Sequence, residues 1–175
     1  MKKIAIPFFA CLALASSAFA GHEMKEYKTD KGVAPEPCFK DQELQLDVFG
    51  SWTDANHDNP HHDGWGGGIG VNYFFMRYLG IGVDGNIYDG GPAVWDVSGR
   101  IIARYPIEGA VCIAPYVFVG GGVLSNSTVV GTWNAGGGLE WRATHTIGIF
   151  TEGRYTWGGN EVDATQIRAG VRFVF

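Results

Sequence analysis

Histidine and aspartate side chains are concentrated in one short polar stretch, residues 53–63, which reads TDANHDNPHHD. Ring nitrogens of three histidines there, with neighbouring aspartates, could bind a divalent metal; these are His57, His61 and His62. Asn59 and Pro60 are typical of a solvated turn, and no fixed scaffold is evident around the histidines. We therefore expect a polar surface loop without a bound metal, and the sequence indicates no cofactor.

Arginine and carboxylate side chains share one face of an alternating pattern. After Lys40 the chain contains seven arginines and no lysine. Arginine pairs bidentately with carboxylates and tolerates partial burial, so a charged face of this kind is expected to be enclosed. It could line a proton or ion path, but we favour a structural network that fills the interior. Its predicted members are Asp47, Asp84, Asp96, Arg100, Arg104, Glu140, Arg142, Glu152, Arg154, Arg168 and Arg172.

The elements that must hold these side chains are β-strands, because polar and apolar residues alternate with a period of two from Glu43 onward. Near the C-terminus, for example, Ile167 and Val171 share one face and Arg168 and Arg172 the other. The pattern predicts eight strands, at 43–52, 64–74, 78–88, 94–105, 111–124, 132–142, 146–157 and 164–175. Short turns are expected at 75–77, 106–110 and 143–145, and longer loops at the opposite end. This organisation predicts an all-β, eight-stranded antiparallel up-and-down barrel.

The first residues have the pattern of a secretory signal peptide. Lys2 and Lys3 precede an uncharged, mostly apolar stretch at 4–20, which ends in an A-x-A motif at Ala18 and Ala20. We expect cleavage after Ala20 and export of the chain. The predicted organisation is a signal peptide at 1–20, a periplasmic N-terminal segment at 21–42 and a single barrel domain at 43–175.

Composition restricts the function classes. Hydrophobic residues make up 46% of the chain, which excludes an intrinsically disordered protein. The formal net charge of −5 argues against a nucleic-acid partner, which would require a basic surface.

Aromatic residues at the strand ends indicate that the barrel crosses a membrane. The stretches 65–73, 95–105 and 133–141 each begin and end with Trp or Tyr and have the length of a tilted membrane-crossing strand. Amphipathic rings are typical of membrane interfaces, and a soluble lipocalin-like barrel would have no reason to repeat this register. We expect four apolar residues to face lipid near the bilayer middle: Ile101, Leu139, Ile149 and Val171.

These features together resemble the small outer-membrane β-barrels, a family that includes the transmembrane domain of outer-membrane protein A. The resemblance covers about residues 43–175 and includes the closing sequence GVRFVF, with Phe173 and Phe175 at alternate positions. That ending resembles the signal that such proteins present to the barrel-assembly machinery. The resemblance implies a location in the outer membrane of a Gram-negative-type bacterium, contact with lipid and lipopolysaccharide, and a monomeric barrel.

The expected function is structural or involves surface interactions, without catalysis. Two alternatives remain open: a small-solute channel, or an enzyme that modifies lipid A. The enzyme would need a His, a Ser and a carboxylate converging near the outer leaflet. The sequence places His145 at a short turn on the opposite rim.

A disulfide is possible between Cys38 and Cys112, since export exposes the chain to oxidising conditions. Cys38 precedes the first predicted strand and Cys112 opens the fifth, which puts both at the short-turn rim on opposite sides of the barrel. A bond between them would carry residues 32–41 across the mouth as a strap. The alternatives are two free thiols and an intermolecular bond.

Overall fold

The computed structural model of the chain describes residues 37–55, 63–89, 93–109, 111–125, 129–158 and 163–175. The signal peptide predicted at 1–20, most of the predicted N-terminal segment and the three loop histidines lie outside these ranges. Within them, no helix is long and apolar enough to cross a membrane.

Eight antiparallel strands close into a barrel in sequence order, which confirms the predicted fold class. Every strand boundary lies within three residues of its predicted position. The strands are β1 (Glu43–Ala55), β2 (Gly64–Met76), β3 (Leu79–Asp89), β4 (Ala93–Arg104), β5 (Ile113–Ser125), β6 (Val129–Arg142), β7 (Ile147–Gly158) and β8 (Ala164–Val174).

The barrel closes where β1 pairs with β8. The backbone N–H of Phe175 donates to the carbonyl oxygen of Leu44 at 2.9 Å, and the N–H of Leu44 donates back at 3.3 Å. Both ends of the barrel chain therefore lie at one rim, which we call the terminal rim; it also contains residues 77–78, 105–109, 111–112 and 143–146. The opposite end is the loop rim.

The predicted division into short turns and long loops is only partly correct. The connection expected as a short turn at 106–110 is longer, because β4 ends at Arg104 and β5 begins at Ile113. Within it, Ile107 pairs with Ile113 in a separate bridge. At the loop rim, β6 begins at Val129, which shortens a connection predicted as a longer loop. Strand pairing continues further toward the loop rim than the sequence pattern indicates.

Side chains alternate between the interior and the outer surface along every strand. In β4 the alternation is unbroken over all twelve residues. The four apolar residues expected to face lipid all lie on the outer face, with exposed side chains: Ile101, Leu139, Ile149 and Val171. The interior contains most of the polar and charged residues, the reverse of a soluble barrel.

Inward-facing glycines make room for the large side chains that cross the interior. At Gly136, a Cβ atom would overlap the carbonyl oxygen of Gly153 and lie 2.6 Å from Cζ of Phe118. At Gly138, a Cβ atom would lie 2.7 Å from the Tyr116 hydroxyl. The two aromatic rings on β5 therefore occupy the space that side chains on β6 would otherwise fill.

Replacing Gly136 with alanine tests this packing. Because the added Cβ meets backbone as well as a ring, we expect Gly136→Ala to lower the free energy of unfolding by about 1–3 kcal/mol. Gly153→Ala is the matched control, since no atom lies within 4 Å of its Cβ position. Urea unfolding in detergent micelles measures both, and equal midpoints would contradict a packed interior.

Candidate functional site

The described part of the barrel interior contains twelve Arg, Asp and Glu side chains whose charges balance. Six are arginines and six are carboxylates, and each residue has at most 7% of its surface exposed. They form three layers of two arginines and two acids between the terminal rim and the loop rim. The layers are Glu43, Glu140, Arg104 and Arg142; then Asp47, Glu152, Arg100 and Arg172; then Asp84, Asp96, Arg154 and Arg168.

The layer nearest the loop rim is centred on Asp84 of β3. Arg154, from β7 on the opposite wall, donates to both carboxylate oxygens of Asp84 at 2.8 and 2.6 Å. Arg168 donates to the same carboxylate at 2.6 Å. Asp96 lies 3.2 Å from the Arg154 guanidinium and 3.5 Å from that of Arg168, so each arginine contacts both acids.

The middle layer contains a bidentate pair. Nε and Nη2 of Arg172 donate to the two oxygens of Asp47 at 2.6 and 2.7 Å. Arg100 reaches Glu152 across the lumen at 3.0 Å, and the Tyr116 hydroxyl donates to the same carboxylate at 2.9 Å. Bidentate, charge-assisted hydrogen bonds are short and directional, so this layer has a fixed geometry.

The layer nearest the terminal rim depends on Glu43, which the sequence analysis did not assign to the network. Its Oε1 atom accepts hydrogen bonds from Arg104 at 2.7 Å, Arg142 at 2.6 Å and Gln45 at 2.6 Å. Arg142 also pairs with Glu140, which is 2.5 Å from Arg172 in the middle layer. The position of Glu43 two residues before Gln45 and four before Asp47 was the available signal, because all three share one face of β1.

Aromatic rings inside the barrel pack against the charged side chains. The guanidinium carbon of Arg104 lies 3.7 Å from the Phe74 ring centroid, and those of Arg168 and Arg172 lie 4.7 Å from Phe49 and Phe150, respectively. A cation over the face of a ring is attracted to it most strongly where water is excluded. These rings share the inward face with the charged residues, so the two-residue period could have predicted them, whereas the predicted aromatic positions were those at the strand ends.

A short segment before β1 closes the mouth at the terminal rim. Phe39 is fully buried, with its ring centroid 5.0 Å from the Arg104 guanidinium carbon and 4.7 Å from that of Arg142. Cys38 and Cys112 are joined by a disulfide with their Cα atoms 6.0 Å apart. The structure thus brings together the two predicted cysteines, and residues 37–41 of the predicted strap fall within the described chain.

The remaining predicted site residues are not part of the interior. Phe173 and Phe175 lie on the outer face and at the chain end, where Phe175 is 75% exposed; their role as an assembly signal stays a prediction. The loop histidines fall outside the described residues. Within the described ranges, no group of three His, Cys, Asp or Glu side chains could hold a metal ion.

The closed wall, the even number of antiparallel strands and the polar interior define a small eight-stranded antiparallel β-barrel. The N-terminal barrel domain of Pseudomonas aeruginosa OprF is similar, with a TM-score of 0.61 and 15% identity over 77% of this chain and 98% of that one. Neisserial surface protein A has a TM-score of 0.59 and 15% identity over 75% and 95%.

A third similar structure is Ail, the attachment invasion locus protein of Yersinia pestis, in complex with the heparin analogue sucrose octasulfate. Its TM-score is 0.51, with 14% identity over 77% of this chain and 99% of that one. No protein-family model matches the chain, and no curated protein is significantly similar to it in sequence. At these identities the similarity establishes the fold.

Removing Arg154 tests the charged interior. Arg154→Ala leaves Asp84 and Asp96 with fewer compensating charges in a buried layer, so we expect unfolding free energy to fall by about 3–5 kcal/mol. Arg77→Ala is the control, because Arg77 pairs with Glu108 at 2.6 Å with a third of its side chain exposed. An exposed pair contributes at most about 1 kcal/mol. Urea unfolding in micelles compares the variants; equal losses would argue against an enclosed network.

Proposed function

We propose that the chain is a non-catalytic barrel of the bacterial outer membrane, exported by a cleaved signal peptide, with a structural or surface-interaction role. The observation that carries the proposal is an interior filled by six arginines and six carboxylates. Its outer face supports a membrane location, because exposed Ile, Val and Leu side chains lie between bands of Trp and Tyr. The outer-membrane barrels with a similar fold support the same location.

The small-solute channel is the less favoured alternative, because the space inside the described barrel is small. A cavity at the loop-rim end, between Tyr88, Asp96 and Gln166, has a volume of about 10 Å³. That is room for about one water molecule. A larger recess of about 620 Å³ is lined mostly by outer-face side chains such as Ile101, Val119 and Trp133, and the buried Arg100 and Asn134 also border it.

The enzyme alternative lacks a converging set of groups in the described residues. His145 is exposed at the terminal rim, in the turn between β6 and β7. Ser51 donates to Asn86 at 3.0 Å, and the Ser98 hydroxyl accepts from Arg154 at 2.9 Å. Both hydroxyls are thus held inside the polar network, away from His145, the histidine of the described residues.

The surface chemistry favours cation-mediated contact with anionic lipid. Ail was solved with a polyanionic heparin analogue. The strand ends and connections at the loop rim contain acidic residues and no Lys or Arg. They are therefore poorly suited to bind a polyanion unless divalent cations bridge the charges. The acids are Asp54, Asp58, Asp63, Asp89, Glu161 and Asp163. We propose that the bridged partner is the phosphate groups of lipopolysaccharide. We also propose that the barrel is monomeric and that Phe173 and Phe175 are the signal to the barrel-assembly machinery.

Fractionation and functional assays of the expressed protein test the proposal. We expect recovery in the outer membrane and a mobility shift on heating in gel electrophoresis. We also expect no stepwise conductance in planar bilayers and no change in lipid A mass. Recovery in the soluble periplasm would refute the membrane assignment. Conductance steps would favour the channel, and a lipid A mass change would favour the enzyme.

A depth-dependent substitution tests the outer face. Val119 lies at the middle of β5 and is 59% exposed, so Val119→Arg should cost about 2–4 kcal/mol in lipid vesicles. Val129→Arg, at the loop-rim start of β6, is the control and should cost about 1 kcal/mol or less. Equal small losses in both variants would indicate that water, not lipid, contacts the outer face.

A further inference from the structure

The two mouths of the barrel are closed in different ways. At the loop rim, the interior is covered by Tyr88, Val94 and Leu124, which belong to three strands of the wall. At the terminal rim, it is covered by residues 38–40, which precede β1 and which we call the plug. Of these two sets of described residues, the plug is the one that can leave its mouth without breaking a strand pair.

The backbone of the plug forms hydrogen bonds with side chains of the barrel. The Phe39 N–H donates to Glu108 at 3.1 Å and the Lys40 N–H to Glu43 at 3.3 Å, and Arg142 and Arg104 donate to the carbonyl oxygens of Cys38 and Lys40 at 3.4 and 3.3 Å. Those longer than about 3.2 Å are at the weak end of the usual range. The Phe39 ring also lies between two guanidinium groups, and Cys38 is bonded to Cys112.

The chain changes direction directly between the plug and β1. Gln42 has a φ of 56° and is the one non-glycine residue with positive φ among the described residues. A left-handed conformation is unfavourable for a residue with a Cβ and persists where surrounding contacts impose it. Release of the plug would relieve that requirement while leaving β1 paired from Glu43 onward.

We propose that the plug is a redox-controlled lid on the lumen, closed by the Cys38–Cys112 disulfide and opened by a dithiol reductant. In opening, the Sγ–Sγ bond breaks, and both cysteines become thiols. The dithiol supplies two electrons and two protons and becomes a disulfide itself. Cys38 and Cys112 are only partly buried, so a small reductant can reach them. The lid concerns access to the charged layer at Glu43, and it does not depend on the surface role proposed above.

Chymotrypsin cleavage after Phe39 measures the position of the lid in the folded, detergent-solubilised protein. A fully buried Phe39 is protected while the plug is seated, and cleavage then tracks the fraction of open plug. We expect reduction followed by thiol alkylation to raise the cleavage rate at Phe39 by about tenfold or more. The Cys38→Ser/Cys112→Ser variant should be cleaved at the raised rate without reductant. Mass spectrometry of the fragments, after a final reduction, gives both rates.

Cleavage after Tyr78 is the internal control, because this residue is 53% exposed in a turn at the same rim. Its rate should be the same in all three proteins, and the heat-dependent gel shift should show that each is folded. Equally slow cleavage at Phe39 with and without the disulfide would show that ring contacts alone hold the plug, which overturns redox control. Equally fast cleavage at Phe39 in the oxidised protein would show that the plug does not close the mouth.

Discussion

Every guanidinium group enclosed by this barrel needs a carboxylate, and that requirement organises the interior. A buried charge without a partner is costly, whereas six arginines facing six acids leave an interior with no net charge. Long side chains must then cross the lumen to meet their partners. The inward glycines of β6 and the aromatic rings of β5 follow from this requirement, because the glycines leave space that the rings fill beside the charged side chains.

The sequence was sufficient to predict the strands and the side that each faces, because both depend on a local two-residue period. It could not specify which charges pair. Arg154 contacts Asp84 from the opposite wall, seventy residues away in sequence, and that choice depends on strand register and side-chain length. The cysteine pair predicted a strap across this mouth, but the position of the Phe39 ring between two guanidinium groups could not be predicted, since this segment lies outside the alternating pattern.

Glu43 illustrates a different kind of omission. Its face was determined by the same period that placed Asp47, and it was already the predicted first residue of β1. In the structure it is the acceptor shared by Arg104 and Arg142, and its backbone neighbours lead directly into the plug. The first residue of a strand can therefore belong to the buried network as fully as the residues that follow it.

The balanced interior has a consequence for sequence divergence. Neutrality constrains the sum of the charges in a layer. Which strand supplies each charge is limited only by the length of the side chain that must contact its partner. An arginine and its carboxylate on neighbouring strands, such as Arg172 and Asp47, could exchange places, and the layer would remain neutral with similar hydrogen bonds. Barrels built on this principle can therefore drift by paired replacements until their architecture persists with little residue identity, which makes shape a more durable record of ancestry than sequence.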